Sequence, residues 1–127
     1  MPLIYSIIES AAHPNFGALY RQLGFTEERY TSMRKVMAAL KKQPPDFIVA
    51  EFIYGFSNNY AGVNISNLDV LLYSLQKYAP GCRVIVFADK ADRSHTEKLH
   101  AIFPLHGVLI LPATPQDIRP LLEGKPG

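Results

Sequence analysis

Sulfur chemistry is nearly absent from this sequence, in which Cys82 is the only cysteine. That excludes an intrachain disulfide and a cysteine-rich metal cluster, and the place of Cys82 at the head of an apolar run reads as a small buried residue, not a reactive thiol. Long hydrophobic runs are missing too. No stretch reaches the roughly 18 apolar residues that a membrane-spanning helix needs. The opening MPLIYSIIES lacks the basic start, apolar middle and small-residue cleavage site of a secretory signal. The expectation is a soluble, cytoplasmic protein with no membrane partner. No GxGxxG or P-loop pattern is present, Ser10, Ser66 and Ser94 lie in no nucleophile elbow, and no histidine is evidently placed to activate Cys82. Internal repeats, low-complexity tracts and linkers are also absent.

What the chain does have is core. Its 127 residues are 48% hydrophobic and 19% charged, which suits one compact domain spanning 1–127. The net charge of +2 comes from 13 basic and 11 acidic residues scattered along the chain. The one local cluster, Arg34, Lys35, Lys41 and Lys42, reads as a solvated helix face. With no aromatic or glycine-rich RNA-binding pattern beside it, nucleic acid is not the expected partner.

Five short apolar runs alternate with segments of helical period, the pattern of repeated βα units around a parallel sheet. The runs are Leu3 to Ile8, a polar second strand at Glu28 to Thr31 suited to a sheet edge, Phe47 to Ile53, Arg83 to Phe87 and Val108 to Leu111. Between them, Phe16, Leu19, Tyr20 and Leu23 form a helical stripe that begins after Pro14 and stops at Gly24. Met33, Val36, Met37 and Leu40 form another, capped by Ser32 and stopped by Pro44 and Pro45. Leu68, Leu71, Leu72 and Leu75 define a third, ending near Pro80 and Gly81. Leu99, Ile102 and Phe103 support a fourth, and Thr114-Pro115-Gln116-Asp117 a capped start to the last, which Pro120 is expected to distort. The tail GKPG is expected to fray.

In open parallel sheets, ligand sites form beyond the carboxyl ends of the strands. Those ends carry Glu9, Glu51, Asp89 and Pro112. Glu51 needs an explanation, because an unpaired carboxylate inside a core strand is costly. The stretch 54–66, YGFSNNYAGVNIS, is predicted to be a long loop of the kind that is often functional. Its Tyr54, Phe56, Asn58, Asn59 and Tyr60 form a candidate binding loop, the alternative being a lid over the acidic pocket.

At this point the chain resembles the receiver domain of two-component response regulators, across nearly its whole length. PDFIVAEF, residues 45 to 52, is similar to the family's third strand, where a Pro-Asp pair precedes apolar residues and the phosphorylated aspartate. APGCRVIVFAD and GVLILPATPQDI resemble its fourth strand, and its fifth strand with the following turn. The resemblance implies an α/β fold with a five-stranded, doubly wound parallel sheet and helices on both faces, the flavodoxin-like (CheY-like) three-layer αβα architecture. It also implies a pocket that has lost its chemistry. Glu51 stands where the family has its aspartate, Ala88 where it has the switch hydroxyl and Leu111 where it has the phosphate-pairing lysine. Glu9, followed by Ser10, replaces the acidic residues that hold magnesium. Pro112 aligns with the family's cis proline.

The implied function is that of a non-phosphorylatable pseudo-receiver, related to phosphorelay proteins, that uses no cofactor or catalytic residue and binds a signalling protein or a second copy of itself. The family's association face suggests residues 98–122 as a second candidate surface. Glu51 itself reads as an inert remnant in preference to a permanent mimic of phosphoaspartate.

The rival reading is a metal-dependent phosphoryl-transfer enzyme. IIES (7–10) and FADKADR (87–93) loosely resemble the acidic segments of Toprim domains, making Glu9 the acid-base residue and Asp89 and Asp92 the magnesium ligands. Those aspartates are three apart where that family has two. A histidine site is weaker still, since His95 and His100 fall on different helix faces, and His13 and His106 lie near turns.

Overall fold

The computed structural model describes residues 2–7, 16–52 and 68–123. Five strands, β1 (Leu3–Ile7), β2 (Thr26–Tyr30), β3 (Phe47–Glu51), β4 (Arg83–Ala88) and β5 (Gly107–Ile110), form a single sheet in the order β2-β1-β3-β4-β5. Every neighbouring pair is parallel. This is the flavodoxin-like order, with the chain reversing direction across the sheet between β1 and β3. The helices are α1 (Gly17–Gln22), α2 (Met33–Lys42), α3 (Asp69–Tyr78), α4 (Arg93–His100) and α5 (Pro115–Leu122).

Side-chain alternation along the strands divides the core into two layers, because successive residues point to opposite faces. Leu3, Tyr5 and Ile7 of β1, Ile48 and Ala50 of β3, and Val84, Val86 and Ala88 of β4 pack with α2, α3 and α4. Ile4, Phe47, Val49, Ile85 and Phe87 pack with α1 and α5 on the opposite face. Strands covered on both sides are mostly apolar, which explains the runs of β1, β3 and β4, broken within the sheet only by Ser6 and ended at Glu51. Cys82 is buried in the first layer, as expected, and burial pushes its thiol up to about 12.

The helix ends follow from local chemistry. Gly24 has φ +87°. Its N–H donates to the Arg21 carbonyl at 3.1 Å, and the Phe25 N–H reaches the Tyr20 carbonyl at 2.8 Å. Those two bonds make the left-handed glycine stop that satisfies the last carbonyls of α1. At α5 the Thr114 N–H donates to Asp117 Oδ2 at 2.8 Å, with Pro115 at the first helical position.

Several boundaries differ from the sequence reading. β2 begins at Thr26, because parallel pairing with Leu3 and its successors extends it over polar residues. α4 begins at Arg93, after a 3-10 turn at Lys90–Asp92, and ends at His100. Ile102 and Phe103 therefore lie past its end, where both their N–H groups donate to the Leu99 carbonyl. Pro120 sits inside α5 without ending it. Ile8, Glu9, Ser10, His13, Ile53, the candidate loop 54–66 with Tyr54, Phe56, Asn58, Asn59 and Tyr60, and the GKPG tail lie outside the described residues.

Candidate functional site at the carboxyl edge of the sheet

The sheet brings three of the sequence-identified residues to one edge. Glu51 ends β3 opposite Phe87 of β4, and Ala88 ends β4 opposite Ile110 of β5. Beyond the ladders, the Phe52 N–H donates to the Phe87 carbonyl at 2.8 Å and the Leu111 N–H to the Ala88 carbonyl at 2.9 Å. The peptide between Leu111 and Pro112 is cis. Glu51 is 7% exposed and Ala88 fully buried, while Leu111 packs partly against the α1–α5 layer.

Among the described residues this edge is chemically sparse. Ala88 and Leu111 contribute only hydrocarbon, so neither donates a hydrogen bond nor carries charge. Glu51 is the one carboxylate among these three strand ends. Asp89 follows Ala88 but opens the 3-10 turn, where its carbonyl accepts from the Asp92 N–H at 2.9 Å. Asp89 is exposed and Asp92 half-buried. Among the described residues no group of three or more histidine, cysteine, aspartate or glutamate side chains is placed to hold a metal ion.

Two of the histidines serve structural hydrogen bonds. His100 Nδ1 accepts from the Leu105 N–H at 3.2 Å, and His106 Nε2 lies 2.8 Å from the Leu121 carbonyl. The basic residues Arg34, Lys35, Lys41 and Lys42 are all exposed on α2.

Two concavities were not anticipated from the sequence. One, of 500 Å³, runs between α4 and the outer edge of β5 and is lined by Lys90, Arg93, Glu97, His100 and Val108 among others. Of its lining residues only His100 and Val108 fall within 98–122; its early part, Lys90 to Arg93, belongs to a turn whose chain direction sequence period does not reveal. The other lies at the opposite edge, between β2 and α2.

No family model matches the chain, and no curated protein matches it in sequence. Solved structures do. A response regulator receiver protein from Burkholderia phymatum is 20% identical, with a TM-score of 0.66 over 97% of this chain and 94% of that one. A response regulator receiver domain protein from Clostridium thermocellum is 14% identical, with a TM-score of 0.68 over 98% and 93%. A response regulator from Burkholderia pseudomallei, solved with a phosphorylated aspartic acid, calcium ion and citrate, is 19% identical, with a TM-score of 0.63 over 96% and 66%. The chain has the receiver fold. Among its described residues no helix is long and apolar enough to cross a membrane.

Proposed function

We propose that this receiver-like chain is a signalling module that does not accept a phosphoryl group and acts by docking a protein partner. The observation that carries the reading is the edge formed by Glu51, Ala88 and the cis Leu111–Pro112 bond. Scaffold and turn are those of a receiver, while the side chains that would react are replaced.

The argument is electrostatic. An acyl phosphate carries about two negative charges where the carboxylate carried one, and it needs donors or cations to hold it. Alanine and leucine supply neither. Glutamate also displaces the carboxylate by one methylene from where an aspartate places it. Magnesium requires near-octahedral oxygen ligation, and these strand ends bring it one carboxylate, so they fit the ion poorly. The phosphorylated aspartic acid and calcium of the Burkholderia pseudomallei regulator have no matching set among Glu51, Ala88 and Leu111.

The docking face is α4–β5–α5. β5 is an edge strand with only partly buried Val108, Leu109 and Ile110, and the groove beside it carries Lys90, Arg93 and His100 against Glu97. Apolar residues rimmed by charge are the ordinary anatomy of a protein interface. A signalling protein with an acidic rim fits this face, and self-association through it is the homodimeric form of the same reading.

The test is a backbone NMR titration with magnesium, with and without beryllofluoride. Absence of saturable shifts at Glu51, Ala88 and Leu111 in the folded protein is the expected result. Saturable shifts there overturn the inert pocket. Shifts at Glu9, Asp89 and Asp92 with magnesium alone would instead select the phosphoryl-transfer enzyme.

A further inference from the structure

The cavity at the other edge of the sheet is built differently. It has a volume of 340 Å³ and is floored by Tyr5, with Glu28 and Tyr30 of β2 on one side. On the other, α2 presents Lys35, Ala38, Ala39 and Lys42. These four fall at i, i+3, i+4 and i+7, one helix face. The two alanines leave the space, and the two lysines stand two turns apart, about 10 Å along the axis.

The hydroxyl groups are already committed. Tyr30 donates to Glu28 Oε1 at 2.7 Å, and the Tyr5 hydroxyl donates to the Gln43 carbonyl. The rings meet edge to face, with centroids 5.1 Å apart. The cavity therefore offers the half-buried Tyr30 ring and the alanine methyls, above a Tyr5 ring that is itself closed off from solvent. Its lysines are not used up: among the described residues Lys35 and Lys42 form no ion pair, while Glu28 already accepts the Tyr30 hydrogen bond. Two ammonium groups against one carboxylate leave an excess of one positive charge.

From this geometry we infer that the β2–α2 cavity binds a small aromatic monocarboxylate. A carboxylate is held by Lys35 or Lys42 at the rim, and the ring lies on Ala38 and Ala39 against Tyr30. The volume is at the small end of the ~300–1,000 Å³ usual for ligand pockets, which suits a single-ring ligand. Glu28 works against ligands of higher negative charge, since like charges at close range in a partly desolvated site repel. The strand order puts β2 and β5 at opposite ends of the sheet, so this ligand and a partner on α4–β5–α5 do not compete.

The test uses the full chain and three probes followed by backbone NMR: phenylacetate, acetate, which has the charge without the ring, and phenethylamine, which has the ring with the opposite charge. Phenylacetate is expected to give saturable shifts centred on Tyr30, Lys35, Ala38 and Ala39, at least tenfold tighter than either control. Ala38→Leu, at an exposed helix position, fills the cavity and abolishes them. The Lys35→Gln/Lys42→Gln variant, altered only at the surface, weakens binding by about tenfold, the scale of one charge-assisted hydrogen bond. No saturable response to phenylacetate overturns the site. So does an equal response to acetate or phenethylamine, or binding indifferent to both variants.

Discussion

Ser6 Oγ donates a 2.6 Å hydrogen bond to Glu27 Oε2, tying β1 to the edge strand β2. Ser6 is buried, and the nearby Arg29 Nε stands 4.0 Å from the same carboxylate oxygen. The phenol of Tyr20 is buried beside them, held protonated by burial first and by the negative charge of Glu27 second. Removing the serine hydroxyl leaves a largely shielded carboxylate short of a donor, which costs about 1–3 kcal/mol. Ser6→Ala is expected to lower the urea midpoint accordingly, and Glu27→Gln, which keeps an acceptor oxygen, to lower it less. A Ser6→Ala midpoint indistinguishable from the wild type would show that this bond does not hold the edge.

Gly24 isolates a purely conformational effect. A Cβ built there meets nothing within 4 Å, yet φ is +87°. Gly24→Ala is therefore expected to destabilise by about 1–2 kcal/mol without any clash. Gly24→Asn recovers part of that loss, because asparagine tolerates the left-handed region. Equal stability of the alanine and glycine proteins in thermal melts contradicts the glycine stop.

Cys82 sets an alkaline limit on stability. Burial, and then the negative charge of Asp46, raise its thiol from 9.0 to about 12. Above pH 9 the unfolded chain loses this proton while the folded chain keeps it, so stability falls as pH rises. The contribution is complete below pH 9 and is lost as the pH rises through about 12, on the order of 1 kcal/mol being gone by pH 10. Tyr20 and Tyr30, also shifted upward by burial, add to the decline at higher pH. Urea midpoints of wild type and Cys82→Ala between pH 8 and 10.5 measure the difference: the variant starts lower, from lost packing, but declines less steeply. Parallel slopes contradict the assignment.

The architecture was legible because β1, β3 and β4 are covered on both faces and so read as continuous apolar runs. β2 was harder. Its residues Thr26, Glu27, Glu28, Arg29 and Tyr30 carry no apolar alternation, and its position rests on Ser6, Tyr5 and ladder pairing that sequence period does not encode. α4 was misplaced for a related reason: its two most apolar neighbours, Ile102 and Phe103, serve the turn after the helix. The edge formed by Glu51, Ala88 and Leu111 could be read in advance, since strand ends in a parallel sheet are brought together by topology alone. The β2–α2 cavity could not, because it depends on Tyr5 reaching Gln43 across 38 positions.

The strongest test of the proposed inert pocket is to rebuild it. Glu51→Asp alone is expected to leave the protein unresponsive to magnesium and beryllofluoride, since hydrocarbon still occupies the two positions that the proposed reading assigns to pairing with the bound group. Combining it with Ala88→Thr and Leu111→Lys supplies a hydroxyl and a cation at adjoining strand ends. The lysine is tolerable because Leu111 is only partly buried, and an aliphatic stem can follow the same apolar surface. The threonine is the harder change: Ala88 has no exposed surface, and overpacking there costs about 1–3 kcal/mol. A melt must therefore precede the titration. In a folded triple variant, saturable shifts at residues 51, 88 and 111 that the wild type lacks would support the proposal that these side chains make the pocket inert. A response by the wild type itself removes the premise, because it shows that glutamate, alanine and leucine suffice.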